Sequence, residues 1–297
     1  MNKVLMAAVA LVVPFSAASA AEYRSTAYAP AVIAEAYRAV PGEFKKLSPA
    51  QQAFFDRYYP VDWMKALQGN LWAKAGPAGE VNKFLTESGF PDLAKCFLYC
   101  AAGVLKYKGE HRTTGQKLPM MIDGRQYQGA KFARSADTRA FGSSADPILT
   151  IDSKVDGWKV LVKKADARFK GNADDLPEIG KQVLATTREG APVLDYSHFI
   201  VPASKVQAMV DVGKFIGVSK GQLRTDMAMK QIRFEFDHEG AKAEAAFVAG
   251  TRSVVRPRET VFTFDGPHYL VFVKDGFDEP AFTAYVGRDG WVSMATN

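Results

Sequence analysis

Cysteine and histidine are scarce in this chain: two Cys and four His among 297 residues. So few leave no set with four-ligand metal spacing, and no metal site or cofactor is expected. The short motifs of common enzyme classes are also missing. There is no G-x-S-x-G elbow, no H-E-x-x-H, no Walker loop, no C-x-x-C, and no G-x-G-x-x-G after a strand. No long run of one charge sign occurs. The 38 basic and 32 acidic residues are well mixed, so the net +6 and a pI of about 9.1 argue for no nucleic-acid partner. They permit an anionic cofactor such as a polysaccharide but assign it no site. Internal repeats and low-complexity linkers are lacking too. What remains, 47% apolar and 12% aromatic, describes a globular chain long enough to bury a substantial core.

The only long apolar stretch is at the N-terminus. Lys3, the run Val4 to Phe15 and the triplet Ala18-Ser19-Ala20 make residues 1–20 a signal peptide, cleaved after Ala20. Pro14 interrupts that run, and no later segment approaches the length of a membrane span. The short charged region and Ala-x-Ala site fit a bacterial export signal, so the expected location is secreted or periplasmic.

Cys96 and Cys100 lie four residues apart. On one strand their sulfurs would share a face about 13 Å apart, too far to bridge. On a helix the spacing is marginal. Two buried free thiols are the first expectation, with a strained bridge second.

Residues 21–95 read as mostly helical: Pro30 to Val40, a helix opening at Ser48-Pro49, and Glu80 to Gly89. From about residue 96 short β-rich runs take over, among them Pro147 to Ile151, Val160 to Val162, Lys230 to Asp237, Val261 to Phe264, Tyr269 to Val273 and Phe282 to Val286. Ser204 to Ile216 reads as a helix ended by Gly217. The fold class is α+β with large antiparallel sheets, and residues 21–297 form one domain.

Asp237-His238-Glu239 is the one dense polar cluster, and a solvated turn accounts for it better than a metal site. An alanine-rich stretch follows. With period two, Ala241, Ala243 and Ala245 fall on one face, and Lys242, Glu244 and Ala246 on the other. Its small inward face and polar outward face suit a segment that slides into a packed sheet. The run Thr251-Arg-Ser-Val-Val-Arg256-Pro-Arg-Glu259 is basic and cleavable, and an Arg at 252, 256 or 258 would suit the acidic pocket of a trypsin-like enzyme.

These residues resemble the serpin family. Glu235-Phe-Asp-His-Glu239-Gly240-Ala241-Lys-Ala-Glu-Ala245-Ala246 is similar to the family's strand and hinge, commonly E-E-G-T-E-A-A-A-A-T. Phe264-Asp-Gly-Pro-His-Tyr-Leu-Val-Phe-Val-Lys-Asp resembles the strand after the reactive loop, and Phe282-Thr-Ala-Tyr-Val-Gly-Arg288 the final L-F-M-G-R-V strand. Upstream, Met120-Met121…Gln128-Gly129-Ala-Lys-Phe132 resembles M-M-x-Q-x-G-x-F, and Ser197-His-Phe-Ile-Val with Ala203 to Ile216 resembles the L-P-K-F-x-I stretch and its helix. The likeness covers roughly 118–290, most strongly after 226. Three departures stand out: Ala241 for the usual threonine, Glu244 for a small residue, and Phe247 on the inward face. The chain is also shorter than a full serpin core, so several N-terminal helices are expected to be missing.

The resemblance implies a reactive-loop hinge at Glu239, Gly240, Ala241, Ala243, Ala245 and Ala246. It implies a scissile region at Arg252, Ser253, Val254, Val255 and Arg256. Counting forward from Gly240 reaches Val254, which suits an elastase-like target; counting back from Pro267 reaches Arg256, whose bond to Pro257 resists cleavage. Arg252-Ser253 ranks first, for a trypsin-like target. The implied function is a secreted or periplasmic serine protease inhibitor, a monomer, acting by loop cleavage and strand insertion. It is not an enzyme and has no catalytic residues. The alternative is a non-inhibitory serpin-fold binding or structural module of the cell envelope. A third reading is an envelope hydrolase whose triad assembles from His111, His198, His238 or His268 with a distant serine and aspartate.

Overall fold

The computed structural model describes residues 23–41, 48, 49, 53, 67, 69–91, 99–107, 109–166, 169–211, 219–220, 223–224, 229–241 and 260–294. In chain order the elements are β1 (Thr26–Tyr28), α1 (Pro30–Ala39), β2 (Leu71–Pro77), α2 (Ala78–Glu87), β3 (Tyr99–Leu105), β4 (Gly109–Glu110), β5 (Gln116–Ile122), β6 (Arg125–Ala133), β7 (Thr138–Ser143), β8 (Asp146–Asp152) and β9 (Trp158–Lys164). Then come α3 (Leu176–Glu189), β10 (His198–Pro202), β11 (Ser204–Asp211), β12 (Ser219–Lys220), β13 (Leu223–Arg224), β14 (Met229–Phe236), β15 (Gly240–Ala241), β16 (Val261–Thr263), β17 (His268–Lys274) and β18 (Phe282–Val286). This is the expected α+β arrangement with large antiparallel sheets.

The core is a six-stranded antiparallel sheet in the order β1-β18-β17-β9-β8-β7. Its central strands are apolar on both faces, as in Tyr269-Leu-Val-Phe-Val273, so both faces must be covered. On one, α3 lies against β17, β18, β7 and β8, burying Leu176, Val183 and Leu184. On the other, Phe234 of β14 packs edge-on against Phe272 and Phe282. A second sheet, β16-β10-β6-β5, contains the parallel pair β10–β16. A third runs β11-β14-β15-β4, and β2–β3 and β12–β13 form two-stranded pairs. Helix α1 packs on β2 and β3. Helix α2 adds a small cluster of Val81, Leu85 and Val104.

Three sequence readings need correction. Ser204–Asp211 is strand, not helix: it pairs with all eight residues of β14, from Ser204↔Phe236 to Asp211↔Met229. Its first four residues alternate buried and exposed, so the long-range ladder overrides a local pattern that also suits a helix. Leu71–Pro77, inside the stretch read as mostly helical, is strand β2. Cys100 is disulfide-bonded, not a free thiol. Cys96, the other cysteine, lies outside the described residues, as does most of the helix expected at Ser48-Pro49. The helices expected near 30–40 and 80–89 are present as α1 and α2.

Gly180 shows how tightly α3 sits on the sheet. A Cβ there would lie 2.2 Å from Thr283 Oγ1 and 3.1 Å from Pro280 Cγ. Alanine is the better helix former by about 1 kcal/mol, but the overlap costs about 1–3 kcal/mol. Gly180→Ala is therefore expected to lower the urea midpoint; an unchanged or raised midpoint would show that α3 can lift off β18.

Candidate functional site

The segment with small alternating residues begins where β14 ends. Asp237 turns the chain: its Oδ1 accepts hydrogen bonds from the backbone N–H of Glu239 at 2.8 Å and of Gly240 at 3.1 Å, and its own N–H donates to Gly240 O at 3.0 Å. The Asp237-His238-Glu239 cluster is thus a turn whose carboxylate caps its own backbone. Among the described residues no group of three or more His, Cys, Asp or Glu is placed to hold a metal ion.

Past the turn, Gly240 and Ala241 form β15, a two-residue strand. Ala241 faces Phe236 of β14 on one side, and Gly240 and Ala241 face Glu110 and Gly109 of β4 on the other. Both pairings are antiparallel, so β14 and β4 run parallel with one strand between them. The fit needs glycine: a Cβ on residue 240 would lie 2.5 Å from Gly109 O and 2.7 Å from Glu110 Cα. Among the described residues, β14 has no strand partner on this edge beyond Phe236. Arg233 of β14 reaches the end of α2, donating to Gly89 O at 2.8 Å with its guanidinium 5.6 Å from the Phe90 ring.

His111 fastens this junction. It is 1% exposed, wedged between the rings of Phe132 and Phe236 at 5.2 and 5.3 Å. Its backbone N–H donates to Glu239 O at 2.8 Å, and its Nε2 lies 3.1 Å from Asp237 O. A carbonyl accepts only, so Nε2 carries the proton. Burial pushes the His111 pKa down to about 4, against a smaller opposing pull from its bond to Asp237 O. His268, fully buried and stacked on Trp291, is pushed down to about 4 by the same cause.

Of the sequence-derived site residues, Glu239, Gly240 and Ala241 are described and lie together at the sheet junction. Ala243, Ala245, Ala246, Arg252, Ser253, Val254, Val255 and Arg256 lie outside the described residues. The chain returns at Thr260 in a different sheet. Ser197 Oγ accepts from Thr260 N–H at 3.2 Å and donates to Thr260 O at 3.1 Å, and β16 then runs parallel to β10. Residues 242–259 therefore connect the third sheet to the second. Ser197 Oγ also lies 3.0 Å from His198 Nδ1, but the hydroxyl is already engaged in holding the chain's return.

No family profile and no curated protein matches this chain. Solved structures do. Mouse protein-Z dependent protease inhibitor superposes with a TM-score of 0.60 at 10% identity, over 89% of this chain and 90% of that one. Serpin48 of the insect Tenebrio molitor gives 0.53 at 11%, over 89% and 92%. Thyroxine-binding globulin in complex with thyroxine gives 0.53 at 12%, over 89% and 92%. The fold is serpin-like.

The lowered histidine pKa values fix the direction of the pH response. The unfolded chain takes up these protons near pH 6.5 and the folded one only near 4, so stability is full above about 6.5 and is lost as pH falls through that window. The melting temperature is expected to drop between pH 7 and 4.5. His111→Gln, which keeps a donor but cannot titrate, should flatten part of that drop and leave the share of His268. An identical pH slope in parent and variant would rule out His111 as a contributor.

Proposed function

We propose that this chain is an exported serine protease inhibitor that acts by loop cleavage and strand insertion. The observation that carries the reading is the seat of Gly240 and Ala241. The first residues of the implied hinge already form a strand between β14 and β4, and the alternation of Ala241, Ala243 and Ala245 continues the small inward face that further insertion requires. The serpin-like fold supports the same reading. In it, the signal peptide is cut after Ala20 and the mature chain works in the periplasm or medium.

The target is a trypsin-like enzyme cutting Arg252-Ser253, with an elastase-like enzyme cutting after Val254 as the second choice. The protease serine attacks the Arg252 carbonyl. The peptide C–N bond breaks, the amine of Ser253 leaves with the proton, and Arg252 stays esterified to the protease. The freed segment then adds to β14 as an antiparallel strand, gaining backbone hydrogen bonds and carrying the acylated protease with it. Glu244 stays on the polar face, while Phe247 needs an inward pocket. Glu244 and Phe247 are also the residues that favour the second reading, a non-inhibitory serpin-fold binding or structural module of the cell envelope.

The test is to mix the purified protein with trypsin and with an elastase and to run denaturing gels. A covalent band near the summed mass is expected, with a higher melting temperature for the cleaved chain. Ala243→Arg should be cleaved as fast but form no complex, because an unpaired charge on the inward face blocks insertion. Cleavage of the parent with neither complex nor thermal gain would transfer support to the second reading.

A further inference from the structure

The edge of β14 that faces β15 is paired at Phe236, and among the described residues its ladder from Glu235 back to Met229 has no strand partner on that side. The chain that leaves Ala241 lies outside the described residues and starts at the mouth of this slot. Residues 242–244 are therefore its nearest occupant.

The seat of β15 fixes what each of them faces on entry. Phe236 lies opposite Ala241 in an antiparallel pair. Continuing that ladder sets residue 242 against Glu235, 243 against Phe234 and 244 against Arg233. Residues directly opposite on one face have Cβ atoms about 4.5–5.5 Å apart.

The two faces of β14 differ. Phe234 points into the core, 6.2 Å from the Phe272 ring and 5.4 Å from that of Phe282, and Phe272 also meets Tyr107 at 5.6 Å. Ala243, opposite Phe234, has the size that such a crowded face admits. Arg233 and Glu235 point the other way. Arg233 is exposed and is held over the outer face by its bond to Gly89 O at 2.8 Å and by the Phe90 ring. Glu235 is paired with Lys205, directly opposite on β11.

The charges match in this register. Lys242 meets Glu235, extending the row to Lys205–Glu235–Lys242, and Glu244 meets Arg233. Opposite charges directly across a ladder stabilise it, and like charges weaken it. A slip of two residues keeps every side chain on its face but loses the match: one direction sets Glu244 against Glu235, the other sets Lys242 against Arg233. A slip of one residue turns Lys242 and Glu244 toward the core.

We propose that Lys242 and Glu244 are a register key for the entering strand, read by Glu235 and Arg233 of β14 as positioning residues. The key rests on the strand-insertion step proposed above and names what sets its register. Glu244, a departure from the family pattern, thereby has a partner that a small residue would not need.

The test compares melting temperatures before and after an elastase cuts the loop at one bond, located by mass spectrometry. Each variant is compared with its own uncut form, so that the loss of the Arg233 bond to Gly89 is measured apart from insertion. The parent is expected to gain stability on cutting, and Glu244→Lys and Arg233→Glu each to lower that gain by about 2–4 °C. The exchange Arg233→Glu/Glu244→Lys should restore it, and Arg233→Lys alone should keep it. Single variants that gain as much as the parent, or an exchange that loses what both singles lose together, would overturn the register key while leaving strand insertion in place. No gain in the parent would overturn strand insertion, and the key with it.

Discussion

Strand β17 is the constraint on which the rest of the molecule depends. It pairs along its length with β9 on one side and β18 on the other, and its residues from His268 to Val273 are all buried. A strand that is apolar on both faces needs two covering layers, and the chain supplies them from different regions. Helix α3 covers one face, and the aromatic side of β14 covers the other through Phe234. Because β14 is held in this way, so is its end at Phe236, where the turn into β15 begins. The site thus inherits its position from the packing of a strand that does not itself belong to it.

The geometry of β15 then follows from small residues. One strand is wedged between two others only because Gly240 brings backbone against the backbone of Gly109 and Glu110. His111, trapped between Phe132 and Phe236, ties the Asp237–Glu239 turn to the chain just past the end of β4. That junction is held by a neutral imidazole, backbone carbonyls and the Asp237 carboxylate that caps its own turn. Its integrity is therefore linked to proton activity through the His111 imidazole.

How much of this could be read from sequence depended on whether the information was local. Strands β14, β17 and β18 were legible because alternation or a continuous apolar run is written in each. Gly240 was singled out by a stretch that resembles the serpin pattern, from which Ala241 departs, and the pairing of both residues with β4 could not be read from it. Strand β11 was misread because Ser204–Asp211 carries a pattern that either helix or strand can use, and its eight-residue ladder with β14 made the choice. Helix α3 was not assigned, although Asn172 caps the turn before it by accepting from Asp174 N–H and Pro177 stands in its first turn. His111 was one scattered histidine in the sequence; its partner Asp237 lies 126 residues away, and no local signal connects them. Identities of 10–12% with structures of the same fold make the same point: patterns of size and polarity persist where residue identities do not.

The pairing of β1 with β18 carries a mechanical implication. Thr26, Ala27 and Tyr28 lie opposite Tyr285, Ala284 and Thr283, and Ser25 is bonded to Asp289 just beyond. The two segments therefore enter this antiparallel pair from the same end. A pull that separates them would meet the hydrogen bonds one after another, as in opening a zip, and not all together, as in sliding two strands past each other. Under tension the outermost strand of the central sheet would peel away at low force while β17, clamped on both sides, kept its place.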